Sequence, residues 1–332
     1  MTSPLSVQTK ISLSVLVLSV LLLINPTTAL LNGEARMSSS GTIIYWDYSF
    51  QVGFENTEDF MVGVEHSGNY TYWDREQWFR DQYPGAYRFE PNTTIVHSGE
   101  QSIRLGLLHP NSDGERRIQT YHDWDPLETV QIWQEEWFYI PAGFLWKNPS
   151  TGEGFWYNLH TILSERMWNP DLVTSYQEYA VKLGAIWNQY SNKPVFCLTQ
   201  GPVSVDNNDD GMDDFFSPED QYFELGSAGV PTGRWFRIMS HVYRDLQNWD
   251  GGYAEFWIED PVANRTVYHM ENPCRTIGIN PQRIGSLTPW RQGEYMAYLA
   301  SGFTLYAGGL SDGMPSPCEI YVDDFFVGVR YS

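Results

Sequence analysis

The segment Asp206-Asn207-Asn208-Asp209-Asp210-Gly211-Met212-Asp213-Asp214 gathers more oxygen donors than any other stretch of this sequence. It fits D-x-[DN]-x-[DN]-G, in which ligands at alternate positions wrap a hard cation and the glycine permits the sharp turn. Asp206, Asn208 and Asp210 supply that pattern, and Met212 is the next alternate position. Ser217 stands where an EF-hand places its closing glutamate. The chemistry expected here is Ca2+ binding that orders a loop, not catalysis. The alternative is a solvated acidic loop. Elsewhere the sequence holds no Gly-x-Ser-x-Gly, no Walker-type loop and no zinc-ligand spacing.

Paired carboxylates are the next chemistry to look for. Glycoside hydrolysis needs two of them, roughly 5–5.5 Å apart for retention and wider for inversion. Glu135 and Glu136 are adjacent, so on a strand they point to opposite faces and do not pair. Neither Glu-x-Asp-x-x-Glu nor Glu-x-Asp-x-Glu occurs. Glu165 and Glu178 stay open as a pair from separate strands.

Strands must position these groups. Gly and Pro punctuate the chain throughout, and long helical periodicity is missing. Strands are expected over 101–108, 130–140, 155–163, 178–187, 235–244, 253–258, 303–306 and 319–329. Many strands joined by long loops give an all-β, two-sheet antiparallel sandwich. The stretch 65–92 alternates little and reads as either a long loop or a small helical insertion around 74–81.

Alternation assigns faces. In 130–140 one face carries Val130, Ile132, Phe138 and Ile140, with Gln134 and Glu136 between them. The other carries Gln131, Trp133, Glu135, Trp137 and Tyr139. In 235–244 the aliphatic face is Phe236, Ile238, Ser240 and Val242, opposite Trp235, Arg237, Met239, His241 and Tyr243. Each mixed face is either a plain amphipathic surface or a sugar-stacking surface. In the second case Trp133, Glu135, Trp137, Trp235, Arg237, His241 and Tyr243 bind the glycan.

The 332-residue chain has a formal charge of −21, which disfavours nucleic acid as a partner because phosphates need a basic footprint. It contains 14 Trp and 21 Tyr, most of which a β-protein uses as core filling. Lys10 precedes an apolar run over 11–24, followed by Asn25-Pro26 and the small residues Thr27-Thr28-Ala29. That is the order of a secretory signal, and the run is shorter than the roughly 20 residues of a spanning helix. Residues 1–29 are therefore expected as a signal, with retention as a membrane anchor the alternative. Residues 30–42 read as a linker and 43–332 as one domain, with the acidic loop inserted at about 204–220. The location expected is extracellular or the cell surface.

Three cysteines, Cys197, Cys274 and Cys318, permit one disulfide in an oxidising compartment. Cys274 and Cys318 sit in Pro-flanked polar stretches and are the expected pair. Cys197 lies in an apolar run and reads as a buried thiol.

Several blocks share an order with known proteins. They are His97-Ser98-Gly99-Glu100-Gln101-Ser102-Ile103-Arg104-Leu105, Arg116-Arg117-Ile118-Gln119, Glu136-Trp137-Phe138-Tyr139-Ile140-Pro141, Trp156-Tyr157-Asn158-Leu159-His160, Gly233-Arg234-Trp235-Phe236-Arg237, Gly252-Tyr253-Ala254-Glu255-Phe256-Trp257 and the final 320–329. Together they resemble the concanavalin A-like jelly rolls, and within them the heparinase- and glucuronan-lyase-type polysaccharide lyases. The resemblance implies a uronate-containing glycan as partner, cleaved by β-elimination. By it His160 falls at a strand histidine acting as base or neutraliser. Arg117 falls near a substrate-clamping arginine, and Tyr306 near a late tyrosine acting as acid or base. Two departures stand out. Ser301-Gly302-Phe303-Thr304-Leu305-Tyr306 lacks the lysine of a Lys-x-Gly-x-Tyr pattern, and Asn158 replaces the glutamine of Gln-x-His.

The acidic loop resembles those of thrombospondin type-3 and dockerin-like modules, which implies Asp214 as a further Ca2+ ligand. Carbohydrate-binding jelly rolls also pair a Phe-Glu opening with an Asp-Asp closing strand. By that likeness Glu55 and Asp324 are candidates for a second Ca2+. Beside the lyase stand a non-catalytic glycan-binding domain and a structural envelope protein.

Overall fold

A computed structural model describes residues 35–37, 43–56, 71–72, 87–107, 116–124, 129–168, 176–200, 204–205, 215–216, 221–243, 253–262, 265–270, 296–308 and 318–331. The candidate helical insertion, the signal segment and Cys274 lie outside them. Among the described residues no helix is long and apolar enough to cross a membrane.

The architecture is all-β, with two large antiparallel sheets. Sheet I runs β18 (Arg265–Met270), β17 (Tyr253–Asp260), β16 (Trp235–Tyr243), β9 (Thr129–Tyr139), β20 (Cys318–Tyr331), β6 (Ser102–Leu107), β5 (Tyr87–Asn92), and β3 (Tyr48–Val52) also pairs with β20. Sheet II runs β15 (Gln221–Gly229), β12 (Lys193–Gln200), β11 (Tyr176–Asn188), β10 (Trp156–Trp168), β19 (Met296–Gly308), β8 (Tyr121–Trp124), β4 (Thr71–Tyr72), with β7 (Arg116–Gln119) also on β19. Two ribbons stand apart: β1 (Ala35–Met37) with β2 (Ile43–Tyr45), and β13 (Ser204–Val205) with β14 (Phe215–Phe216).

The inner faces form the expected core. Ile132, Phe138, Phe236, Ile238, Val242, Ile320, Val322 and Phe325 of sheet I meet Tyr157, Leu159, Leu183, Ala185, Phe196, Leu198, Phe303 and Leu305 of sheet II. Burial stabilises each large apolar side chain by about 1.5–3 kcal/mol. The aliphatic faces read from alternation in β9 and β16 are thus the ones that meet the other sheet.

Two expectations change. The stretch expected as a linker contains β1, which pairs with β2 in register Ala35↔Tyr45 to Met37↔Ile43. Backbone pairing, invisible to composition, decides this. Cys318 is not in a polar loop: it opens β20 and is buried in the core. Cys197 is buried in β12, as expected.

A second, smaller core lies on the outer face of sheet I. It comprises Ile44, Trp133, Met239, Trp257 and Phe326, with Trp46 packed against it. Trp133 lies 6.3 Å from Trp46 and 5.2 Å from Trp257 between ring centroids. Gly328 makes room for Trp46, because a Cβ there would come within 2.6 Å of the indole.

Candidate functional site

One transverse row crosses sheet II at directly opposed positions. Arg117 pairs with Tyr306, Tyr306 with Asn158, Asn158 with Gly184, and Gly184 with Cys197. Opposed residues of an antiparallel pair share a face. Ile118, Leu305 and Leu183, the sequence neighbours of this row, belong to the inner core. The backbone positions of this row thus alternate with the inner core, and Asn158 and Cys197 within it are buried. Register thus brings together two of the three residues expected to be catalytic, Arg117 and Tyr306, with Asn158 beside them.

His160 is placed differently. Its ring has no exposure and faces sheet I. Nδ1 donates to Glu136 Oε1 at 2.5 Å, and Nε2 lies 2.7 Å from Ser240 Oγ. Gln134 Nε2 donates to Glu136 Oε2 at 3.1 Å. This explains the two polar residues on the inner face of β9. The order carboxylate, imidazole, hydroxyl is that of a nucleophilic triad, but a nucleophile must meet its substrate. Ser240 is 1% exposed and Glu136 0%. The expected role of His160 as a base touching substrate does not match this placement. The strict alternation that would have set it beside Asn158 is broken by a register shift between Asn158 and His160.

The same shift leaves Thr161 opposite Lys182 and Gly302, whose neighbours Leu183 and Phe303 are core residues. Lys182 therefore belongs to the outer face, as does Gly184 two residues on. Sequence reading missed Lys182 and Thr161. Strict alternation around Leu183 could have found Lys182, but nothing in the sequence signals the shift that carries Thr161. Thr161 Oγ1 is buried without a hydrogen-bond partner.

Gly184 sits in the middle of the row. A Cβ there would lie 2.1 Å from the carbonyl oxygen of Tyr157 and 3.2 Å from Asn158 Oδ1. Gly184→Ala should therefore push β11 off β10 and cost about 3 kcal/mol, the upper range for overpacking. Urea unfolding measures it, and a midpoint equal to wild type would refute the close approach.

The outer face of sheet I is largely packed. Trp133, Glu135 and His241 are buried, so the open stacking surface expected of them is corrected: the β2 segment and Trp46 cover Trp133. Trp133 Nε1 donates to Glu135 Oε2 at 3.4 Å, and His241 Nε2 lies 3.2 Å from Gln131 Oε1. Trp137, Trp235, Arg237 and Tyr243 are half-buried. His97 stacks on Trp137 at 3.8 Å, Arg237 lies 5.5 Å from the same ring, and Arg237 Nε donates to Glu259 Oε2 at 3.1 Å.

His97, between β5 and β6, also bonds to the last described strand, β20. Its N–H donates to Asp323 Oδ2 at 2.9 Å, and its Nδ1 lies 2.6 Å from Asp324 Oδ2. Ser98 Oγ donates to Asp324 Oδ1 at 2.7 Å. Glu55 accepts from the Glu100 N–H at 3.0 Å. The two acids expected as ligands of a second Ca2+ thus have protein donors. Among the described residues no group of three or more His, Cys, Asp or Glu converges on a metal position. Asp206, Asn208, Asp210, Met212 and Asp214 lie outside the described residues. Their flanks are pinned, because Val205 pairs with Phe215 and Ser204 with Phe216.

Burial pushes the Asp323 carboxyl up to about 6, against the lowering effect of the His97 N–H. Burial also opposes ionisation of Asp324, but the His97 and Ser98 bonds outweigh it and hold that carboxyl low. A raised carboxyl binds a proton in the folded chain that the unfolded chain releases. Its contribution is therefore present at low pH and is lost as pH rises from the unfolded value near 3.8 through about 6. Relative to wild type, Asp323→Asn should gain about 3 kcal/mol between these limits, as a two-unit shift implies. Urea unfolding at both pH values tests this, and a constant difference would contradict it.

Glu165 sits opposite Tyr179, and Glu178 opposite Arg166, in the register of β10 with β11.

No family model and no curated protein matches this chain. Solved structures do. An endo-β-1,4-glucuronan lyase from Trichoderma reesei is 10% identical, with a TM-score of 0.41 over 86% of this chain and 96% of that one. The alginate lyase Aly36B is 12% identical, with a TM-score of 0.41 over 84% and 96%. The alginate lyase vAL-1 from Chlorella virus is 12% identical, with a TM-score of 0.38 over 73% and 90%.

Proposed function

We propose that this protein cleaves a uronate-containing polysaccharide by β-elimination on the outer face of sheet II. The observation that carries the reading is the single row Arg117, Tyr306, Asn158, held in register by three strands. Elimination must neutralise the uronate carboxylate, remove the C5 proton and protonate the leaving oxygen. Arg117, opposite Tyr306 on one side, serves the carboxylate, and Asn158, buried at 4% exposure, supports Tyr306 from the other side. Tyr306 takes the C5 proton and returns it to the leaving oxygen as the C4–O bond breaks and the C4=C5 double bond forms. A cation beside a phenol favours its ionised form. In a chain of formal charge −21, a polyanion needs local positive charge, and Arg117 and Lys182 bring it to this face.

Ca2+ in the segment 206–214 is part of the same proposal, as a loop-ordering ion between β13 and β14. So is export, on the strength of the apolar run 11–24, since polysaccharide substrates of this kind lie outside the cell.

The test is ultraviolet absorbance of the unsaturated product, with Ca2+ present, on alginate, polyglucuronate and polygalacturonate. A rise is expected on at least one. Flat traces from folded protein on all of them would overturn the lyase reading. Calorimetric binding of the same polymers would then decide for a glycan-binding domain.

A further inference from the structure

We propose that His160 is a positioning residue, which acts from inside the sandwich on the outer-face row. The inference rests on the lyase reading for its catalytic consequence. On a regular strand Asn158 and Thr161, three positions apart, would lie on opposite faces. In β10 they share the outer face. The register shift between Asn158 and His160, seen against both β11 and β19, makes this possible. Its signature is that consecutive residues both face inward: Leu159 belongs to the core, and His160 bonds to Glu136 and Ser240 of sheet I.

Against β11 the irregularity leaves an extra residue on β10, and against β19 the extra residue is on β19, so the turned-in position must be held by something. Here the imidazole holds it. Its two nitrogens face two different strands of the opposite sheet, Glu136 on β9 and Ser240 on β16. Those strands are themselves locked, with Ser240 opposite Gln134 and Ile238 opposite Glu136. A buried imidazole is costly with an open nitrogen. At this point of β10 the ring is satisfied only in the turned-in position. Slipping the strand by one residue would move its side chains to the wrong face. The pin across the sheets therefore keeps Asn158 opposite Tyr306, and Thr161 with Lys182 alongside.

The decisive variant is Ser240→Ala, which removes one end of the pin and changes no outer-face residue. On the polyuronate cleaved fastest by wild type, kcat is expected to fall about 10- to 100-fold, the effect of a small misplacement, while KM stays nearly constant. The pH–rate profile should keep both limbs in Ser240→Ala and in His160→Gln, because the ring takes no proton from substrate. The side-chain amide resonances of Asn158 should shift in Ser240→Ala. Unchanged kcat with unchanged Asn158 resonances would overturn the proposal. So would loss of one limb in His160→Gln, which would make the histidine the base itself.

If wild type is inert on every polymer, the lyase reading fails, while the Asn158 resonances still test the positioning. Should Ser240→Ala fail to fold, wild type supplies the readout. Its His160 ring proton is expected as a slowly exchanging resonance, and immediate exchange with water would refute the interior pin.

Discussion

Tyr306→Phe should lower kcat by about 10²- to 10⁴-fold, the usual contribution of a general acid–base group, and leave the protein folded. The substitution removes one oxygen and keeps the ring. β19 stays paired with β10 on one side and with β7 on the other through main-chain bonds that the change does not touch. Binding should survive, because the change leaves Arg117 in place, so KM should move little. Loss in kcat at constant KM is the pattern of an interaction made only in the transition state. Steady-state kinetics by product absorbance, with circular dichroism to verify the fold, gives the answer. A kcat within a few-fold of wild type would remove Tyr306 from the chemistry.

Glu136→Leu should destabilise the protein by about 3–5 kcal/mol, the cost of removing one partner from a buried hydrogen-bonded ionisable pair. Glu136 and His160 are each fully buried, and the carboxylate serves both His160 and Gln134. The leucine fills the volume but leaves Nδ1 and the Gln134 amide without that acceptor. The double change Glu136→Leu with His160→Phe should recover part of the loss, since replacing both partners by apolar groups is far cheaper than orphaning one. Urea denaturation of the set measures this. Equal stability of wild type and Glu136→Leu would show that the cluster carries no structural weight.

The sandwich was legible because alternation has a physical cause. Ile132, Phe138, Phe236 and Ile238 recur every second residue, and they meet the other sheet where alternation put them. The same rule could not have placed His160. Alternation holds only while the register holds, and a shift between Asn158 and His160 leaves no trace in residue types. The inward Gln134 and Glu136 were the available hint: polar groups on a core face require a partner, and the sequence does not say which. Trp133 failed for a related reason. Its face was read correctly, but the segment that covers it comes from 44–46, far away in sequence, so burial could not be inferred locally.

The order of strands in sheet I has a consequence for how the molecule is made. β20, the last strand of the chain, sits between β9 and β6 and also receives β3, the first strand of the sheet. Its central position cannot be filled until the C-terminal residues are present. Contacts between such distant segments make folding slow. A nascent chain not yet extended through β20 lacks this keystone and leaves β6 and β9 without their shared neighbour. Closure of sheet I is thereby deferred until β20 has been made, whatever the order in which the other strands pair.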